Sequence, residues 1–257
     1  MAGQSPSRRP QAALTPGPAQ LDIFVRKLLA YSPLSTADQR ELADLPFQYR
    51  SLGPGMTILR EGDHAQVCPI LLSGFAFRYK LAADGGRQIV ALRIPGDPLD
   101  FQSLYLRTVD HHMRSLTAVE LALVPLAALE QLADMRRSIA RAILVDILVE
   151  ASIGREWQLN VGRRHALPRL AHFLCELAYR LEVIEPRARA GFDVPLTQEQ
   201  LADILGLTPV HVNRTLKALE QAGAVARSGR RLRATDLGLL ASFADCAPLY
   251  LHRDNAR

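Results

Sequence analysis

The chain has 257 residues, 48% hydrophobic and 22% charged, the balance of a soluble globular protein with a real core. No apolar run approaches the ~20 residues of a membrane-spanning helix, and residues 1–19, rich in Pro, Ser, Gln and Ala, lack the apolar centre of a secretory signal. Those residues read as a disordered tail, a cytoplasmic location is expected, and a net charge of +5 permits nucleic-acid binding without proving it.

In chain order, Gln20 to Ala43 carries Leu21, Phe24, Val25, Leu28 and Leu29 at helical spacing. Short β-like runs follow, each closed by Gly, Pro or Asp: Met56–Leu59, Pro69–Leu72, Phe75–Leu81, Gln88–Ile94 and Ser115–Pro125. Their number and punctuation predict an antiparallel roll. Ala127–Met135 predicts a short helix and Ser138–Val161 a long one. Ile139, Ile143, Ile147, Ala151, Gly154, Trp157 and Val161 recur on the long helix at steps of three and four, a stripe suited to pairing with a second copy. The helix Leu167–Leu181 and the connector Glu185–Gly191 lead into a compact helical unit.

That unit contains LTQEQLADILGLTPVHVNRTLKALEQA from Leu196 to Ala222. Thr197 and Gln200 have the spacing of a capping box, and Gly206 sits where a tight turn needs a positive φ. Thr208 caps a second helix with Pro209 in its first turn. Val212, Leu216 and Leu219 give it a core face, and Thr208, Pro209, Val210, Asn213, Arg214 and Lys217 lie towards the other side. This is the pattern of a recognition helix entering a major groove. Arg214 suits guanine O6 and N7, Asn213 adenine or phosphate, and Val210 the thymine methyl. His211 suits a phosphate or the groove edge, and Thr208 and Lys217 suit phosphate positioning.

Beyond Gly223, AVARSGRRLRATD predicts two strands around Ser228-Gly229, a wing whose Arg227, Arg230, Arg231 and Arg233 would follow the phosphates. From Thr208 to Arg233 six basic residues stand against one acid, an excess equal to the net charge of the whole chain. Cys68, Cys175 and Cys246 form no CxxC pair and no Cys/His ligand set, so buried thiols are expected and no metal or cofactor. His64, His111 and His112 are conceivable ligands, but Asp110-His111-His112 reads as a polar loop. No nucleophile elbow, HExxH or phosphate-cradling loop accompanies Asp97, Asp100, Asp110 and these histidines, so no enzyme activity is expected.

Taken together, Leu59–Asp97 and Leu196–Leu219, in that order around a long helix, resemble the Crp/Fnr family of bacterial regulators over roughly Leu21 to His252. The resemblance implies an α+β chain: an N-terminal antiparallel, jelly-roll-like β-roll of the cyclic-nucleotide-binding type, a long dimerisation helix and a C-terminal winged helix-turn-helix. The implied divisions are a tail at 1–19, a sensor roll at 20–137, a dimer helix at 138–164 and a DNA-binding domain at 165–257. It further implies a homodimer paired through 138–161 on a near-palindromic operator in double-stranded DNA, with RNA polymerase a partner if the protein activates. Where cyclic-AMP-binding relatives carry a Gly-Glu pair, this chain has Asp100 and Phe101, and where they carry Arg-Ser it has Val109 and Asp110. An aspartate facing a phosphate is electrostatically wrong. The effector pocket is thus expected around Asp100, Phe101, Gln102 and Asp110 with its signal unidentified, and the alternative is cyclic AMP or cyclic GMP in a non-standard pocket.

Overall fold

The computed structural model describes residues 21–229, 231–245 and 247–253. The expected tail at 1–19, Arg230 and Cys246 lie outside the described residues.

The N-terminal helical stretch is two helices, not one: α1 (Asp22–Leu29) and α2 (Thr36–Ala43). Pro33 and the Ser35–Asp38 capping box separate them, with the Ser35 hydroxyl accepting from Asp38 N at 3.1 Å. Seven strands follow: β1 (Gln48–Leu52), β2 (Thr57–Leu59), β3 (Val67–Ser73), β4 (Ala76–Leu81), β5 (Arg87–Arg93), β6 (His112–Ser115) and β7 (Val119–Pro125). They form two antiparallel sheets, ordered β1-β7-β3 and β2-β6-β4-β5. Leu59, Leu71, Ala76, Met113, Val119 and Leu121, drawn from both, close a shared core. Gly74, at φ +78°, turns β3 into β4 with the Ala118 carbonyl only 2.1 Å from where a Cβ would stand, so no other residue fits.

The expected strand Ser115–Pro125 is in fact two, β6 and β7, with a turn between. His112 therefore lies in a strand, and His111 is buried rather than in an open polar loop. Its Nδ1 lies 2.8 Å from Asp110 Oδ1, which gives the ring a partner as it leaves solvent.

Helix α3 (Leu126–Met135) leads into the 27-residue α4 (Arg137–Arg163), then α5 (Ala166–Glu182). The apolar stripe expected to pair two copies is split by the fold. Ile139, Ile143 and Trp157 are buried within their own protomer, whereas the solvent-facing seam runs through Arg141, Leu144, Leu148, Ala151 and Arg155. Leu144 and Leu148 are 51% and 55% exposed, and these steps alternate three and four as a paired-helix seam requires.

The C-terminal unit comprises β8 (Phe192–Val194), α6 (Gln198–Leu205), α7 (Pro209–Gln221), β9 (Val225–Ser228), β10 (Arg231–Ala234) and α8 (Leu237–Ala244). The wing is a three-stranded antiparallel sheet, β8-β10-β9, one strand larger than expected. One hydrophobic cluster runs unbroken from Phe77, Ile89 and Leu92 of the roll through α5 to Leu201, Ile204 and Val212 of the helix-turn-helix. At roughly 1.5–3 kcal/mol per buried large side chain, roll and reader move as packed neighbours, not as beads on a linker. Among the described residues no helix is long and apolar enough to cross a membrane.

Candidate nucleic-acid interface and sensor cavity

The reader is built by local chemistry. Thr197 caps α6 by accepting from Gln200 N at 3.2 Å, and Gln200 Oε1 accepts from Thr197 N at 2.9 Å. Gly206 ends α6 in the left-handed conformation (φ +60°), with Val161 of α4 3.2 Å from the position of a Cβ. Thr208 caps α7 through His211 N at 3.3 Å, and Pro209 fills its first position. Val212, Leu216 and Leu219 are at most 1% exposed, so the opposite face of α7 is fixed outward. Thr208, Pro209, Val210, His211, Asn213, Arg214 and Lys217 are all exposed there.

Within that set the side chains differ in freedom. Arg214 and Lys217 make no hydrogen bond or ion pair among the described residues, so both cations face solvent. Asn213 Oδ1 accepts from Arg227 Nη1 of the wing at 3.0 Å, and the same guanidinium holds Glu220, with Nε 2.9 Å from Oε2. Arg227 thus joins the wing to α7 rather than standing free. That partner, hydrogen-bonding first, holds the Glu220 carboxyl below its ordinary range. Arg233 is turned towards Asp193 Oδ1 at 3.2 Å, whereas Arg231 stays exposed.

The reader also touches the roll directly. Arg87 Nε, on β5, donates to Asp203 Oδ2 on α6 at 2.8 Å. Gln88 Nε2 donates to the carbonyls of Asp203 and Ile204 at 2.6 and 3.1 Å. On the far side, Glu176 of α5 accepts from Trp157 Nε1 of α4 at 2.9 Å and from the Tyr250 hydroxyl at 3.1 Å. The β4–β5 hairpin and α4 thus both pack at the end of α6, where Gly206 turns the chain towards α7.

A cavity of about 270 Å³ lies between β4, β5, α1, α4 and α5. Of the four pocket residues expected from the sequence, Gln102 lines it. Phe101 is packed edge-on to Phe24 at 6.0 Å, Asp100 is buried and accepts from Ser103, and the Asp110 side chain is 76% exposed. Sequence reading missed the charged residues that do line the cavity. Arg78 of β4 and Arg93 of β5, both buried, converge on one carboxylate oxygen of Glu150 from α4, and Arg78 Nη2 also donates to Leu99 O at 3.0 Å. Lys27 Nζ and Arg180 Nη2 sit 2.7 and 3.0 Å from the two oxygens of Asp97. Burial opposes ionisation of both carboxyls, but Lys27 beside Asp97 and Arg93 beside Glu150 outweigh it and hold each at about 2. The available signal was charge inside an apolar helix, as in ILVDILVEASI (Ile143–Ile153).

A roll joined by a long helix to a winged helix-turn-helix, with a charged cavity at the junction, defines a signal-responsive DNA-binding regulator. Residues 49–136 match the cyclic nucleotide-binding domain, and residues 168–243 match the Crp-like helix-turn-helix domain. The chain is 31% identical to the transcriptional activator protein FnrL of Cereibacter sphaeroides, over 76% of this chain and 79% of that one. It is 30% identical to the nitrogen fixation regulation protein FixK of Bradyrhizobium diazoefficiens, over 80% and 85%. The solved structure of FixK2 from Bradyrhizobium japonicum superposes with a TM-score of 0.70 at 27% identity, covering 79% of this chain and all of that one. The chain belongs to the Crp/Fnr family and is a DNA-binding transcription regulator of that type.

Proposed function

We propose that two copies pair along α4 through Leu144, Leu148 and Ala151 and present two α7 helices to a near-palindromic operator, about one DNA turn or ~34 Å apart. The observation that carries this is the conjunction of an exposed apolar seam on α4 with an exposed Arg214–Lys217 face on α7. Arg214 reads a guanine, while Val210 and Asn213 contact neighbouring base edges once DNA draws Arg227 to phosphate. Thr208, Pro209 and His211 border the groove, and Lys217 and Arg231 hold phosphates. Arg230 has the same phosphate role from the sequence alone. RNA polymerase is a further partner where the protein activates. The roll carries the signal, and the shared roll–reader core transmits it.

Cyclic AMP and cyclic GMP are not favoured as that signal. A cyclic phosphate needs an uncommitted cation, and the cavity arginines Arg78 and Arg93 are both already bonded to Glu150.

Arg214→Ala is expected to lower operator affinity roughly 10- to 100-fold, about 1–3 kcal/mol, and to relax base choice at one position in each half-site. Lys217→Ala should instead weaken operator and random DNA alike and flatten the salt slope by about one. Titrations of both variants at three salt concentrations separate the roles. Equal losses for Arg214→Ala on operator and random DNA would remove it as a base reader.

A further inference from the structure

Asn213 stands on the exposed face of α7, yet its amide is not free to turn. Arg227 Nη1, on β9 of the wing, lies 3.0 Å from its Oδ1. A guanidinium only donates, so the amide oxygen must face it, and charge rather than shape decides which way the amide points. Arg227 is itself fixed from the far end of α7. Glu220 accepts from the Arg227 backbone N–H at 3.2 Å, from Nε at 2.9 Å and from Nη2. The side chains of Arg227 and Glu220 are only 24% and 35% exposed, so the pair is partly shielded from solvent. Nε, Nη1 and Nη2 each commit one N–H group, which leaves one on each Nη for a phosphate. The hold on Asn213 therefore persists when DNA draws Arg227 to its backbone.

Which end of the amide is occupied decides which base it can read. To read adenine, an asparagine accepts from N6–H and donates to N7 with the two ends of one amide. In Asn213 the accepting end is taken. The second lone pair of Oδ1 is a poor substitute, since an amino group arriving there meets the guanidinium charge. The donating end, Nδ2, is turned away from the wing, and the same charge polarises the amide and strengthens it as a donor. A side chain that offers N–H groups alone fits guanine, with acceptors at O6 and N7, or thymine, with its acceptor at O4. The amino group of cytosine opposes it.

We propose that Arg227 is a specificity-determining positioning residue: by holding Asn213 Oδ1 it makes Asn213 a donor-only reader that selects guanine or thymine and rejects adenine. The proposal rests on the reading of α7 as the DNA reader and names the base class that one of its side chains takes. Without Arg227 both ends of the amide are free, and the preference turns to adenine. A wing residue that touches no base thus sets what the recognition helix reads.

Selection from random duplex DNA with the full-length wild type, Asn213→Ala, Arg227→Met and Lys217→Ala tests this. The position whose preference collapses in Asn213→Ala is the one Asn213 reads. There the wild type should favour guanine or thymine over adenine about 10-fold, and Arg227→Met, which keeps an unbranched stem but no donor, should favour adenine about 10-fold. Lys217→Ala loses a phosphate contact without touching the amide and should leave that position unchanged, which separates positioning from plain loss of charge. Glu220→Gln loosens the same hold while keeping Arg227, and should raise adenine at that position at least about 3-fold even if Arg227→Met folds poorly. Adenine preferred by the wild type, one base preference with and without Arg227, or no position that depends on Asn213 overturns the proposal while the rest of the motif stands. A wild-type protein that enriches no motif refutes the DNA-reader reading, and the proposal with it.

Discussion

Glu150→Gln is expected to lose about 3–5 kcal/mol of unfolding free energy, measured by chemical denaturation at neutral pH. The amide keeps the shape of the side chain but removes the one negative charge shared by two guanidinium groups, Arg78 and Arg93, each no more than 7% exposed. Left unpaired in that interior, they carry an uncompensated desolvation cost. The pH dependence separates this from a simple packing defect. Glu150 falls from its ordinary 4.5 to about 2 on folding, so its contribution is fully present above about pH 4.5 and is lost as pH falls towards 2. The gap between wild type and variant should therefore close over that acid window. A gap independent of pH would mean that the carboxylate charge is not what holds the roll to α4. Asp146 has the opposite sign: raised from 3.8 to about 7, it favours the folded state below 3.8 and loses that contribution as pH rises through 7.

The second large effect concerns assembly. Leu148→Asp places a charge at the centre of the exposed seam, where Leu144 and Leu148 each present more than half of their surface to solvent. The variant should sediment as a monomer at concentrations where the wild type is a dimer. Operator affinity should fall about 100-fold or more, because the second half-site is no longer held at high effective concentration. The fold should survive, since Leu148 is not part of the protomer's own core. A monomeric wild type, or a Leu148→Asp protein that still dimerises, would move the interface off α4.

The reader was legible in the sequence because its determinants are local. Thr197 with Gln200, Gly206, and Thr208 with Pro209 act within a few residues of themselves, and each is found in its expected role. The roll's turns were legible for the same reason. Strand β1 was not, because four of its five residues are exposed and it shows no apolar alternation. Which stripe of α4 faces solvent was illegible for a physical reason of another kind. Helix α4 is apolar on two adjacent stripes, and periodicity alone cannot say that Ile139 and Ile143 turn inward against α1 and β3 while Leu144 and Leu148 turn out. The cavity was the least legible part. Its partners stand 57 and 72 residues apart at Arg93–Glu150 and Arg78–Glu150, and Arg180 reaches back 83 residues to Asp97. Only the fold brings them together, whereas positions carried over from relatives, such as Phe101 and Asp110, were drawn into the core or left in solvent.

The central claim is most directly tested by selecting bound sequences from random duplex DNA with the purified full-length protein at near-physiological salt and with no added small molecule. A two-fold-symmetric motif with half-sites about one helical turn apart is the result expected of a dimer reading through α7. Recovery of asymmetric or unrelated sequences by an intact dimer would contradict it.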